Sequence, residues 1–310
     1  MKPTPSVVPF VRSVLALGAL QVVLGQTPPS TASAAVTSAA VDLLDGNHIL
    51  HFLDVVDAFG HLSVRNPDNS SQFIMSFAIA PALTTSQTLV TYDINNATAL
   101  HLTFNPSVTG SSIPSSFLER FIHSQIYAAF PNVTSVVHAH TTEVLPFGAA
   151  GVGLKAQMGT AGSVGALPNG SPIFDVDRLS KTVLPDTQPH DLLIRNEVLG
   201  DALARTFEPG SQMRSRILSY CHGMAVQGTS IRDVVFRSFY TKQSAVVQAQ
   251  AVLLGRLAPM GQEPLGLSVR EAMDAENTNE SESLLDRAWS LWVAQVGNAG
   301  LYHNDLSPSN

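Results

Sequence analysis

One cysteine, Cys221, occurs among 310 residues, so no intrachain disulfide can form. Small secreted domains depend on disulfides because they lack core, but a chain of this length buries enough apolar surface without them. Runs of lysine or arginine are also missing. Seventeen basic residues stand against 24 acidic ones, a formal charge of −7, which leaves no basic patch of the kind that binds nucleic acid. Past the N-terminus no apolar stretch reaches membrane-spanning length. No glycine-rich phosphate loop and no internal repeat occurs.

The first residues read as a targeting segment. Lys2 and Arg12 supply positive charge, and Ser13 to Gly25 is apolar but too short to span a bilayer. Val23 and Gly25 suit the small positions before a cleavage site that leaves Gln26. The expectation is a secretory signal over 1–25, a flexible Ser/Thr/Ala/Pro-rich lead-in over 26–39 and a single domain over 40–310. The alternative is an intracellular protein with an apolar N-terminus. Sequons at Asn69, Asn96, Asn132, Asn169 and Asn279 agree with secretion and glycosylation.

The informative stretch runs from Glu119 to His140. Phe121, Ile122, Ile126 and Phe130 recur at helical spacing until Pro131 stops the run. Glu119 and His123, four apart, share one helix face. Val133, Val136 and Val137 then predict a buried strand, which ends in His138-Ala139-His140. Residues two apart on a strand point the same way, so two imidazoles project together. His222 ends a second apolar run, Ile217 to Tyr220 followed by Cys221. Three imidazoles with an open position form a catalytic zinc pattern; histidines at strand ends are otherwise ordinary hydrogen-bonded residues. Cys221, next to His222, reads as a packing thiol facing away from that site.

This constellation resembles the class II aldolase/adducin N-terminal domain family, whose pattern is an acid, a helical H-x-x-x-Y, a strand ending in H-x-H and a distant N/G-H-G. Here these are Glu119, His123 with Tyr127, His138 with His140, and Cys221-His222-Gly223. The likeness extends from about Leu43 to about Tyr302. It implies a three-layer α/β/α fold with a central mixed, largely antiparallel sheet. It also implies a divalent metal on His138, His140 and His222, zinc by family habit, with Mn(II) or Fe(II) in some members. Glu119 becomes the proton-transferring carboxylate; its alternative is a helix-N-terminal Glu serving the dipole. His123 and Tyr127 are structural, with His123 a possible orienter of a ligand from behind. Family members are usually homotetramers with sites between subunits, and some close them with a C-terminal tyrosine, here Tyr302 beside His303.

Two departures bear on the substrate. The segment Gly60-His61-Leu62-Ser63-Val64-Arg65 matches a family segment, with His61 where the sugar-phosphate aldolases carry a substrate-binding Asn. His61 is either a satisfied buried histidine or a donor to a substrate carboxylate or carbonyl. Phosphosugar members place two serines directly before the acid to hold phosphate. Here Ser115 and Ser116 are separated from Glu119 by Phe117 and Leu118, which puts a phosphorylated substrate in doubt.

Elsewhere, helices are expected over 41–50, 197–207, 230–256 (opened by a Ser230/Asp233 capping box) and 282–296, and a short helical turn after His140. Strands are expected over 73–80, 89–94, 101–104, 191–194, 213–222 and 225–228. The polar segment 271–283 reads as a loop, and Trp289 and Trp292 as packing or subunit contacts. The expected activity is a metal-dependent carbon–carbon lyase, by aldol cleavage or decarboxylation, on a small unphosphorylated hydroxy-carbonyl or hydroxy acid. An epimerase or oxygenase on the same ligands, and a non-catalytic adducin-like binding domain, are the alternatives.

Overall fold

The computed structural model describes residues 32–165, 167–207, 217–220, 222–257 and 266–307. The expected signal over 1–25 and the thiol of Cys221 lie outside them. The first helix, α1 (Ala34–Phe52), begins where Ser33 Oγ accepts from the Val36 amide at 3.1 Å. It therefore starts well inside the expected flexible lead-in. The alanine-rich run 34–40 has high helix propensity, and Val36 and Ala40 are buried.

A nine-stranded sheet follows. In chain order its strands are β1 (His61–Arg65), β2 (Gln72–Ser76), β3 (Leu89–Asp93), β4 (Ala99–Leu102), β5 (Asn105–Thr109), β6 (Ser135–Ala139), β7 (Ile173–Phe174), β8 (Ile217–Tyr220) and β9 (Gly223–Gly228). Their spatial order is β5-β4-β3-β2-β1-β6-β9-β8-β7. Every pairing is antiparallel except β7 with β8. The expected mixed, largely antiparallel sheet is thus observed. β5, an exposed edge strand, was not anticipated from the sequence, because Asn105-Pro106-Ser107 carries none of the apolar alternation that marks a strand.

Period-two alternation sends neighbouring side chains to opposite faces. Leu62, Val64, Ile74, Val137, Ala139, Met224 and Val226 pack with α1, α5 (Ile231–Gly255) and α7 (Glu282–Gly297). Phe73, Met75, Val90, Tyr92, Val136 and Ala225 pack with α2 (Arg120–Ala129) and α4 (Glu197–Thr206). Two cores sandwich the sheet, which makes the three-layer α/β/α arrangement. Trp289 and Trp292, each 5 % exposed, belong to the first core. The short helix α3 (Leu145–Ala150) follows the site.

Three expectations fail locally. Residues 191–194 form no strand; Leu192 has φ +70°, which breaks extension, and the segment turns inward to the site instead. Residues 271–283 are not a loop: α6 (Val269–Asn279) opens with a reciprocal Ser268/Glu271 capping box and α7 starts three residues later. That polar helix buries Ala272 in the first core, and its C-terminal end is held by charge. Buried Arg237 of α5 meets Asp233 at 2.9 Å and Glu280 at 2.6 Å, and donates to the Gln227 carbonyl. The Ser230/Asp233 pair is only half a box: Ser230 Oγ caps the Asp233 amide, while the Asp233 carboxylate turns to Thr229. Among the described residues no helix is long and apolar enough to cross a membrane.

Candidate metal centre

The site is assembled on the α2–α4 face, at the end of the central strands. Antiparallel register sets His61 of β1 directly opposite His138 of β6, and His138 opposite Ala225 of β9. His140 follows two residues on, just past the end of β6. His222 sits in the tight turn between β8 and β9. Gly223 allows that turn: a Cβ there would stand 2.2 Å from the Ala139 carbonyl oxygen, so only glycine lets the two backbones meet.

Glu119, at the N-terminus of α2, brings a carboxylate to the same point. It is 5 % exposed and makes no cap to its own helix, which disposes of a capping role. Oε1 accepts from the Ile194 amide at 3.1 Å. Oε2 lies 3.2 Å from His138 Nε2, 3.3 Å from His222 Nε2 and 4.0 Å from His140 Nε2. One ligand atom from each of the four residues falls within 4.8 Å of the others. The two chain regions carrying the imidazoles therefore converge.

The outer contacts choose the imidazole tautomers. His138 Nδ1 faces the Met224 carbonyl at 3.1 Å, and a carbonyl can only accept, so that nitrogen carries the proton. His140 Nδ1 faces Asp57 Oδ1 at 3.3 Å and carries its proton by the same reasoning. Both Nε2 lone pairs then meet across 3.0 Å. Such an approach is repulsive unless a proton or a cation lies between them. Three neutral imidazoles and one carboxylate suit a borderline divalent cation such as zinc; the residues present fit a metal.

Electrostatics agree. Burial pushes the His138 imidazole below its ordinary range, against the pull of Glu119, which keeps it neutral. Burial alone would raise Glu119, but the three imidazoles gathered around Oε2 hold it far below the usual carboxylate range. His140 is raised: hydrogen bonding to Glu119 and the Asp57 charge outweigh its burial.

Asp57 was given no role by the sequence, although Asp57-Ala58-Phe59-Gly60 has the look of an Asx turn. Its carboxylate accepts from the Phe59 and Gly60 amides at 2.8 and 3.1 Å while facing His140. Lys242 of α5 fixes the turn leading to it by donating to the Leu53 and Asp54 carbonyls at 3.0 and 2.9 Å. Thr141 donates to the Val55 carbonyl. The amide of Ile194 had no local signal at all.

A cavity of about 500 Å³ opens on the cluster, and His61, Ser116, Glu119, His140 and His222 all border it. Its other walls are apolar, among them Phe59, Ile79, Phe117, Leu118 and Leu193; among the described residues none that lines it is Lys or Arg. Ser116 lines it with its hydroxyl accepting from Tyr92 at 3.0 Å. Ser115 does not line it: the residue is exposed, and its carbonyl accepts from the Ala78 amide. The two serines thus part company, because the residues between them and Glu119 alter the loop. His61 is buried at 2 % exposure and also borders the cavity. Tyr302 does not border this cavity; its hydroxyl meets His51 of its own α1 at 3.0 Å.

Comparison with known proteins places these observations. The family model for the Class II Aldolase and Adducin N-terminal domain matches residues 42–249. The decarboxylase tropJ of Talaromyces stipitatus is 38% identical over 269 residues, which is 84% of this chain and 95% of that protein. An aldolase II superfamily protein from Pseudomonas syringae superposes with a TM-score of 0.65 at 16% identity, over 89% of this chain and 98% of its own. The L-fuculose 1-phosphate aldolase from Glaciozyma antarctica PI12 gives 0.64 at 18% identity, over 90% and 97%. At such low identity the two solved structures speak for the fold.

Proposed function

The chain belongs to the class II aldolase and adducin N-terminal domain family and is a metal-dependent carbon–carbon lyase; from that premise we propose that it is a decarboxylase of a small hydroxy acid with an apolar body and no phosphate. The observation that carries this reading is the cavity wall. A phosphate brings about two negative charges and asks for Arg, Lys or a nest of amides, and among the described residues no Lys or Arg side chain lines this cavity. A flat hydrocarbon or aromatic body suits Phe59, Ile79, Phe117 and Leu193. The 38% identity to a protein named a decarboxylase supports the same choice over aldol cleavage.

In this proposal His138, His140 and His222 hold the metal through Nε2, with Asp57 and the Met224 carbonyl setting the first two rings. Zinc is the metal proposed. Once bound, the ion supplies Lewis acidity that stabilises negative charge on the substrate oxygens. Glu119, ionised and anchored at Oε1 by the Ile194 amide, takes a proton from the substrate hydroxyl at Oε2. The carbon–carbon bond breaks, carbon dioxide leaves, and the electron pair stays on the remaining carbon. Glu119 then returns its proton to that carbon, and the oxygen left as an oxyanion takes a proton from water as the product leaves. The apolar walls exclude water that would otherwise compete to protonate the carbon.

The proposal extends to assembly and location. Phe59 and Leu118 stand at the cavity rim 68% and 56% exposed, and a neighbouring subunit of a homotetramer would cover them. Secretion is supported by the apolar N-terminal pattern and by four sequons, Asn69, Asn96, Asn132 and Asn169, at exposed positions. Asn279 is unsuited to a glycan, since its amide holds the Gly159 and Ala275 carbonyls.

The test is metal analysis of the purified protein together with a screen of hydroxybenzoic and hydroxy-keto acids for carbon dioxide release, with and without chelator. About one metal per chain and chelator-sensitive release are expected. A small fraction of a metal per chain, with thermal stability unchanged by chelator, would turn the reading toward a non-catalytic binding domain.

A further inference from the structure

Behind the metal ligands runs a buried polar chain that the lyase reading does not use. His61 Nδ1 lies 2.6 Å from His123 Nε2, and His123 Nδ1 lies 2.6 Å from Ser63 Oγ. Ser63 Oγ is 2.7 Å from the Tyr127 hydroxyl, which reaches the Thr134 carbonyl at 3.4 Å. All four side chains are at most 2 % exposed. The arrangement follows from two periodicities: His61 and Ser63 are two apart on β1, and His123 and Tyr127 are four apart on α2, so both pairs face one another across the helix–sheet interface.

We propose that Tyr127, Ser63 and His123 are positioning residues that set the tautomer of His61, so that it presents an unprotonated Nε2 to the cavity as a seat for a substrate hydroxyl. Each contact in the chain has room for one proton. The far end is a carbonyl, which only accepts. Tyr127 therefore donates to Thr134, and its oxygen is left to accept from Ser63. Ser63, having spent its proton, accepts from His123 Nδ1–H. His123 Nε2 is then bare and accepts from His61 Nδ1–H. The last nitrogen, His61 Nε2, has no proton. It stands where the cavity begins, with the Phe117 ring 4.6 Å away, centroid to centroid.

The chemistry of the ligand follows. A bare nitrogen repels the oxygens of a carboxylate or a ketone and accepts from a hydroxyl. The donor role that the sequence left open for His61 is thereby reversed. Burial, together with the neighbouring His123 and His138, keeps the His61 ring in its neutral form. The nature of the received group rests on the lyase reading; the tautomer does not.

The experiment is the imidazole nitrogen-15 spectrum of the full-length protein, with the His61 signals assigned by their loss in His61→Asn. Wild type is expected to show Nδ1 protonated and Nε2 unprotonated. Tyr127→Phe removes the terminal phenol, so Ser63 turns its proton to His123 Nδ1 and the chain reverses. The His61 Nε2 signal should then move to the protonated range, with metal content unchanged. A protonated Nε2 in wild type, or a Tyr127→Phe spectrum identical to wild type, overturns the proposal. Should Tyr127→Phe not fold, the wild-type spectrum alone decides: a protonated His61 Nε2 there is fatal. Neither result depends on turnover, so loss of this inference leaves the lyase reading standing, and a metal-free protein would leave this inference standing.

Discussion

The Ile194 amide holds Glu119 Oε1 at 3.1 Å, while the other oxygen of the same carboxylate faces His138 Nε2 at 3.2 Å. A loop with no regular structure thereby aims an acid held by a helix terminus at imidazoles held by strands. Glu119→Gln keeps the volume, and its side-chain oxygen can still take the Ile194 amide. It cannot carry a proton from substrate to product. Turnover should fall by about 10²–10⁴-fold, the usual span of general acid–base catalysis, while metal content and melting temperature stay near wild type. A fully active variant would remove Glu119 from the mechanism.

Asp57 should act on the metal without touching it. Its carboxylate orients His140 through Nδ1, and removal of such a partner typically weakens binding about 10–100-fold. Asp57→Ala is expected to lose its metal to a competing chelator at correspondingly lower chelator concentration. Because Asp57 also accepts from the Phe59 and Gly60 amides, Asp57→Asn should retain the turn and lose less. Equal metal retention in Asp57→Ala and wild type would show that His140 needs no orienting partner.

Gly223 is tested by its smallest substitution. The Cβ of Gly223→Ala would meet the Ala139 carbonyl oxygen at 2.2 Å and the His140 Cα at 3.3 Å. The β8–β9 turn must move away, carrying His222 from the other two imidazoles. Overpacking of this kind costs about 1–3 kcal/mol, and metal affinity should fall with it. Denaturant midpoints and metal content of the variant measure the two effects separately; a stable, fully loaded Gly223→Ala protein would contradict the contact.

Acid stability should depend on a histidine remote from the site. His48 is 1% exposed and meets the Thr84 carbonyl through Nε2 at 3.1 Å. Burial pushes it down to about 4, with His303 and His51 adding to the fall and the Thr84 carbonyl and Asp305 opposing it. The unfolded chain binds that proton near pH 6.5. Between about pH 6.5 and 4 the unfolded state therefore holds more protons, and stability drops as pH falls through that window. The loss reaches roughly 3 kcal/mol at its lower end. His48→Gln should flatten this part of the stability–pH curve, read from urea midpoints at pH 7 and pH 5. Parallel curves for the two proteins would sink the assignment.

Much of the site was legible because its signals are local. His138-Ala139-His140 needs only strand alternation to place two rings together, and Glu119 with His123 needs only helical spacing. The loop read over 271–283 failed for the opposite reason. Its helix lacks an apolar stripe; it buries Ala272, and its end is held by Arg237, more than thirty residues upstream, paired with Glu276 and Glu280. The segment 191–194 looked like a strand because Leu192, Leu193 and Ile194 are apolar; instead Leu193 walls the cavity, and Ile194 enters the core while its amide holds Glu119.

By itself the sequence determined the ligand types, their pairing in H-x-H, the glycine after His222 and the alternation that builds a two-faced sheet, since each depends on periods of two or four residues along the chain. Only the tertiary structure decided that His222 reaches the other two imidazoles, that Asp57 and the Ile194 amide support them, and that no Lys or Arg among the described residues lines the cavity. Those facts depend on which distant backbones pack together. Proton positions within the His61–Tyr127 chain belong to that second group: a donor direction is set at its far end, by a carbonyl on another strand margin, and no single residue in the chain announces it.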